Sequence, residues 1–414
     1  MSPAAPSAGA EVVTTPEQVG VELRRLREAA GETQAELAKV VRVSRANLTQ
    51  WESGRYLPSA AKARLLDEHF GMGNALLGMI ESARNQGKGP GPVLETAGSL
   101  REVFRRAGRA LADDLIRDGN GRASGWRHYL RQDDPRTTLA TAYGVKAMSL
   151  IGEPALDLHP VLADLYGKRS ELGWQGRSKG RRPEVTAAVI DALYPASSLL
   201  SVEDGLGYLA RSLDGYSRTR PFLLTTALRT AVRLRPDAPL TTELADDLLA
   251  ARLDFGGVLL WGEKKAPHQV APEPSAAHTA RAVVALQALR HNGVDRADVE
   301  EAVELGTQWL IARDHPDDGV SDELRLDQPD GAPALRLTIR HFTAAWVVQA
   351  LAEAPRVPSA RLERALAAVW ERYESGVGLW AWGSGDLPIW MTLDAITALK
   401  AAALAFPAPV LASP

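Results

Sequence analysis

Apolar residues recur three or four positions apart along almost the whole chain, and each such run predicts an amphipathic helix. The first follows Pro16, carries Val21, Leu23 and Leu26, and stops at Gly31, a residue able to take the left-handed conformation that closes a helix. Thr33 and Glu36 form a T-x-x-E capping box ahead of a second helix with Leu37, Ala38 and Val41 inward. Arg42 and Val43 make a turn, and Ser44 caps a third helix. Leu48 and Trp51, three apart, face its core side, leaving Arg45, Ala46, Asn47, Thr49 and Gln50 on the other face. Gly54 ends that helix, Pro58 stops it from continuing, and two more short runs, SAAKARLLDEHF and ALLGMIESAR, complete a five-helix domain over residues 16–85.

Residues 86–95, centred on QGKGPGP, read as a flexible linker and set the clearest boundary in the chain. From 96 to 408 helical runs follow one another, strand signals are nearly absent, and the whole reads as all-α. A Thr-Ala helix opening recurs at Thr141, Thr186, Thr226, Thr279 and Thr343, and Thr392 repeats it with Leu in place of Ala. Gly/Trp loops precede several of these openings: Ser124-GWRHY, Leu172-GWQGR, Gly256-GVLLWG and Gly376-VGLWAWGSGD. Six such units, each a helical hairpin, make about twelve helices, which suffices to close a ring.

Residues 16–85 resemble the lambda-repressor and Cro-like (XRE-type) helix-turn-helix family. Arg27, Gln34, Leu37, Ala38, Val43, Ser44, Leu48, Glu52, Gly54, Arg55 and Pro58 all fall at that family's spacing. The resemblance implies double-stranded DNA binding, with Gln34 and Ser44 on phosphates, Arg45, Ala46, Asn47 and Gln50 at the groove floor, and Thr49 and Arg55 beside them. Arg27 and Glu52 would pair internally. Arg can take guanine, and Asn or Gln adenine, with two hydrogen bonds. One short recognition helix covers a half-site, so the resemblance further implies a homodimer on an inverted-repeat operator.

Residues 100–405 resemble the alpha/alpha-toroid superfamily of terpene cyclases and protein prenyltransferase beta subunits, which implies an (α/α)6 ring with small-residue inner helices around a cavity. An open superhelix of the HEAT or TPR kind shares the drifting period, and the sequence leaves both open. The cyclase D-x-D-D acid is absent, and zero cysteines preclude the Asp, Cys and His zinc set of the prenyltransferases. No catalytic residue, metal or cofactor is therefore expected, and Asp317–Asp318 and Asp246–Asp247 read as ordinary acidic pairs. A small apolar or flat ligand is the expected occupant of the ring. Its candidate contacts are Trp261, His278, Arg340, His341, Trp380, Trp382, Trp390 and Asp394, aromatic residues and polar anchors near the helix openings.

Charge and composition then narrow the function. Ten Lys/Arg against nine Asp/Glu in residues 16–85, with a formal net charge of -3 overall, exclude the broad basic field of a non-specific nucleic-acid binder. A basic cluster, Lys168, Arg169, Arg177, Lys179, Arg181 and Arg182, reads as an exposed loop. The absence of cysteine fits a reducing, cytoplasmic setting, the composition a high-GC bacterium, and residues 1–15 a disordered leader. Together these predict a bacterial transcription regulator whose helical domain senses a small molecule or docks a regulatory partner. The competing readings are an enzyme tethered to DNA and a protein-docking adaptor built on an open solenoid.

Overall fold

The computed structural model describes residues 15–41, 43, 45–54, 57–58, 60–86, 96–152, 156–176, 182–194, 199–216, 218–262, 273–313, 321–326, 335–354, 359–383 and 385–405. It is mostly helical and divides into two compact units, Met1–Val93 and Leu94–Pro414.

The first unit contains α1 (Pro16–Ala29), α2 (Gln34–Val40), α3 (Arg45–Glu52), α4 (Ala60–Phe70) and α5 (Ala75–Gln86). Capping sets the start of two of these helices. Thr15 and Gln18 form one capping box and Thr33 and Glu36 another, so side chains satisfy amides that have no partner within the helix. Val19, Leu23, Leu37, Val41, Leu48, Trp51, Leu66, Leu76 and Ile80 form the core. Asp67, buried on α4, accepts from the amides of Leu76 (2.9 Å) and Leu77 (2.8 Å), and so fixes the first turn of α5. The expected linker at Gly87–Gly91 and the Ser44 cap lie outside the described residues.

The second unit begins with α6 (Thr96–Asp113), β1 (Ile116–Arg117), β2 (Ala123–Gly125), β3 (Tyr129–Leu130), α7 (Thr138–Ile151), α8 (His159–Gly167), α9 (Pro183–Leu193), α10 (Val202–Leu213), α11 (Pro221–Leu234) and α12 (Pro239–Ala250). It continues through β4 (Leu253–Asp254), β5 (Leu259–Leu260), α13 (Ala276–His291), α14 (Ala297–Ala312), β6 (Ser321–Leu326), β7 (Leu335–Arg340), α15 (Thr343–Ala352) and α16 (Ser359–Trp370). The last elements are β8 (Tyr373–Glu374), β9 (Leu379–Trp380), β10 (Leu387–Pro388) and α17 (Ile389–Ala405). Alternate helices pack in a cycle: α7 on α9, then α11, α13, α15 and α17, with α17 returning to α7. The intervening helices lie against this cycle, α8 on α7 and α9, α10 on α9 and α11, α14 on α13 and α15. Buried residues surround α13 on nearly every side, as expected for a helix with neighbours all round. A clasp joins the two ends of the cycle. Strand β10 pairs with β3, Ile389 donates its amide to the His128 carbonyl (3.1 Å), and Lys400 Nζ donates to the Leu150 carbonyl (2.5 Å).

The Gly/Trp loops have a mechanical role that explains their recurrence. Trp126, Trp174, Trp261 and Trp380 are fully buried, and each indole N–H donates to a carbonyl of the preceding outer helix: Leu111 (2.7 Å), Leu165 (2.6 Å), Leu248 (2.8 Å) and Val369 (3.1 Å). The threonine of the next inner helix then grips the backbone of the same Trp. Thr141 and Thr186 accept the amides of Trp126 (3.2 Å) and Trp174 (3.0 Å), and Thr279 donates to the Trp261 carbonyl (3.0 Å). The glycine must precede Trp because a Cβ on Gly125 would fall 2.3 Å from Thr141 Oγ1, and one on Gly173 would fall 2.6 Å from Thr186 Oγ1. Both glycines also have positive φ, at 133° and 92°.

Short strands depart from the all-α expectation. Five antiparallel pairs are present among the described residues, and most are two-residue ladders beside the Gly/Trp turns. The exception is β6–β7, six residues per strand, registered from Ser321–Arg340 to Leu326–Leu335. It occupies the α14–α15 connection, where no Gly/Trp loop precedes the inner helix.

Candidate functional site

In the first unit the geometry around α3 is set by one carboxylate. Glu52, whose side chain is 0 % exposed, accepts from Arg27 Nε (2.5 Å) and Nη2 (3.1 Å) and from Gln34 Nε2 (2.8 Å), with Arg24 3.7 Å away. Burial alone would raise the Glu52 carboxyl, yet the hydrogen bonds from Arg27 and Gln34 and the arginine charges hold it below its ordinary value. The expected Arg27–Glu52 pair is thus formed. Gln34, expected on a phosphate, also braces the scaffold: its Nε2 donates to Glu52 and its Oε1 accepts from Thr49 Oγ1 (3.2 Å). Arg45 and Thr49 are exposed on α3. The side chains of Ala46, Asn47 and Gln50, together with Ser44 and Arg55, lie outside the described residues.

In the second unit polar residues of the six inner helices converge. Arg229 of α11 lies 4.8 Å from the Trp346 ring of α15, although α13 separates those two helices in the cycle, so the contact crosses the interior. Arg281 of α13 sits over the same ring at 4.1 Å, over Phe222 at 5.0 Å, and donates to Thr226 Oγ1 (2.9 Å). The indole of Trp346 donates to Asp394 Oδ2 of α17 (3.1 Å). Deeper along the helices, Lys146 of α7 pairs with Asp191 of α9 (2.5 Å), which also accepts from Thr230 (3.0 Å).

The interior is electrostatically uneven. Burial pushes Asp394 up to about 6 against the pull of Arg281 and Arg229. Burial likewise brings Arg281 down to about 10, and raises the Tyr143 phenol. Asp191 also suffers from burial, but Lys146 and Arg233 overcome it and hold that carboxyl at about 2. One pair is therefore matched. Arg281, 7 % exposed, has no carboxylate at ion-pair distance among the described residues, and its Nε has no hydrogen-bond partner there.

At the N-terminal ends of α13 and α15, His278 and His341 meet Asp322 of β6. His278 Nε2 lies 3.1 Å from both Asp322 oxygens, and His341 Nε2 lies 2.8 Å from Oδ2. All three residues are buried, and their potential metal-ligating atoms lie within 4.8 Å of one another. Burial brings His341 down to about 4, so its imidazole is neutral at ordinary pH, while the hydrogen bonds from the two histidines hold Asp322 well below the usual carboxylate range against burial.

The eight residues proposed from sequence for the ring thus separate. His278 and His341 come together, and Asp394 joins the interior group through Trp346. Arg340 lies over Trp382 at 5.4 Å, and Trp382 packs on Trp390 at 5.7 Å, forming a distinct aromatic cluster. Trp261 and Trp380 are core residues whose indole N–H groups are spent on helix carbonyls. Asp322, Arg281, Arg229 and Trp346 were not singled out as site residues. The alternation of SDELRL and LRLTIR is the signal that would have found Asp322, because it marks a hairpin ending beside His341. Of the basic cluster, Lys168 pairs with Asp164 (2.7 Å), Arg182 pairs with Glu184, and Arg169 stacks on Tyr166. Asp317 and Asp318 lie outside the described residues.

Residues 18–77 match the sequence profile of a family described as a helix-turn-helix domain, so the first unit carries a helix-turn-helix DNA-binding domain. No curated protein matches the chain. Among solved structures, the apo form of the competence regulator ComR from Streptococcus vestibularis is similar at 11% identity. That match covers 72% of this chain and 94% of ComR with a TM-score of 0.26, a level that carries no argument about fold or function. No described helix is long and apolar enough to cross a membrane.

Proposed function

We propose that the chain is a sequence-specific transcription regulator that binds an inverted-repeat operator as a homodimer, and whose second unit is an α/α toroid that holds a small effector in its interior. The cyclic packing of the inner helices, closed by the β3–β10 clasp, supports a toroid over an open superhelix. The interior does not suit the wholly apolar ligand expected from the tryptophans. One observation carries the effector reading: Arg281 is buried with no carboxylate at ion-pair distance among the described residues, Asp394 acting on it only from farther away. An unpaired buried guanidinium is costly, and a ligand carboxylate or phosphate would relieve that cost. Trp346, already flanked by Arg229 and Arg281, would receive a flat part of the same ligand.

The test has two halves, both read on an operator selected from random DNA. Arg45→Ala, on the exposed face of α3, should cost about 1–3 kcal/mol of specific binding and relax the preference at one position per half-site. Unchanged preference would remove Arg45 from base reading. Titrating inorganic phosphate, diphosphate and aromatic carboxylates should identify an anion that shifts operator affinity, and tenfold corresponds to about 1.4 kcal/mol of coupling. Arg281→Met should abolish that shift while leaving operator binding by the effector-free protein intact. If no anion of these classes binds the ring, the anionic-effector reading fails.

A further inference from the structure

We propose that His278, Asp322 and His341 form a binding site for one divalent transition-metal ion, of which zinc best suits two imidazoles and a carboxylate. This goes beyond the effector reading and does not depend on it. The sequence-based expectation that the protein carries no metal rested on the missing cysteines, and this donor set needs none.

The argument is geometric. Zinc bound at about 2.0–2.2 Å to nitrogen and oxygen holds its donors roughly 3.3–3.6 Å apart in a tetrahedron. Here two Nε2 atoms stand 2.8–3.1 Å from one carboxylate and all three donor atoms fit within 4.8 Å, so small side-chain adjustments open the space for an ion. The three donors sit on elements that fix them. His278 is in the first turn of α13, where Ser275 caps the helix by accepting the His278 amide. His341 lies two residues before α15, next to its N-cap Phe342, and its ring packs edge-on against Phe222 (5.6 Å) and His278 (5.2 Å). Asp322 is locked in β6 opposite Ile339. Three protein donors leave at least one coordination position for water or another ligand, the pattern of exchangeable rather than closed structural sites. The alternative is a hydrogen-bonded His–Asp–His cluster with no ion.

Those alternatives separate on the full-length, untagged protein. Elemental analysis after expression in zinc-supplemented medium should give one metal per chain. After chelation, titration with cobalt(II) should produce the visible d–d absorption of a low-coordinate ion with nitrogen and oxygen donors, saturating at one equivalent. His278→Ala and Asp322→Asn should weaken binding by more than the roughly 10–100-fold loss that changes outside the ligand shell cause. His341→Gln is the deciding variant. Its amide N–H can still donate to Asp322, so a purely hydrogen-bonded cluster keeps its melting temperature, whereas a metal site loses its cobalt spectrum and its metal-induced rise in melting temperature. A double His159→Ala, His291→Ala variant, lacking two histidines of the same unit that are not part of the cluster, should bind as the parent does. Absence of cobalt absorption at equimolar metal would overturn the proposal, as would binding that survives His341→Gln or is lost in the His159, His291 double variant.

Discussion

Glu52 in the first unit and Arg281 with Asp394 in the second are buried charges treated in opposite ways. In the helix-turn-helix unit Glu52 is enclosed and fully matched, with Arg27 and Gln34 on its oxygens and Arg24 nearby. In the second unit Arg281 and Asp394 are enclosed yet poorly matched, each displaced toward its neutral form by burial. A matched charge is scaffold: it holds α2 and α3 at the angle that presents Arg45. An unmatched one is, on the proposed reading, the place where an anionic ligand would bind.

Breaking the matched charge should have the larger effect. Glu52→Ala would leave Arg27, 11 % exposed, with only the exposed Glu28 carboxylate at 3.5 Å, and loss of one partner from a buried pair costs about 3–5 kcal/mol. The denaturation transition of the N-terminal unit should shift by that amount, with operator binding lost in parallel. A loss below about 1 kcal/mol would mean that hydrophobic contacts alone orient α3.

Asp394 sharpens the other side. Its folded-state value of about 6 stands above the ordinary 3.8, so the folded protein holds this proton more tightly than the unfolded chain does. The stabilisation is complete below about pH 4 and is lost as pH rises through about 6. Asp394→Asn keeps an oxygen for the Trp346 indole and removes the titration. The variant should lose this pH dependence and gain up to about 3 kcal/mol at pH 7 relative to the parent. Melting curves of both proteins across that range decide it, and a variant less stable than the parent at pH 7 would show that Arg281 and Arg229 already compensate the carboxylate.

The same contrast explains what could be read from the chain alone. Local devices were legible: the Thr33–Glu36 capping box, the Leu48–Trp51 spacing and the Thr-Ala openings each depend on residues close in sequence. The Arg27–Glu52 pair was reached through family spacing. The interior was not legible, because Arg229 meets Trp346 and Arg281 meets Thr226 across 117 and 55 positions, and nothing local distinguishes such an arginine from one that faces water. The tryptophans were ambiguous for a related reason. Four of them recur because each ties an outer helix to the next inner one, and a structural tie repeated through the chain looks in sequence much like a shared ligand surface. Asp322 was hidden differently, on a hairpin whose two short alternating strands stood out little against so much helix.

The smallest effect tests whether the repeats are mechanically equivalent. Thr186 both accepts from the Trp174 amide (3.0 Å) and donates to its carbonyl (3.2 Å), so its hydroxyl is matched. Thr392, at the corresponding opening in α17, is fully buried with no partner for Oγ1 among the described residues. Valine is nearly isosteric with threonine and lacks the hydroxyl. Thr186→Val should therefore destabilise the second unit by about 1–3 kcal/mol, because the Trp174 amide is left unsatisfied, while Thr392→Val should be neutral or stabilising by about 1 kcal/mol. Opposite signs in matched chemical denaturation curves would establish that the Thr-Ala opening acts through its hydroxyl only where the Trp backbone takes it up. Equal losses at both positions would mean that Thr392 holds an ordered water, and that the last repeat satisfies the same bond through solvent.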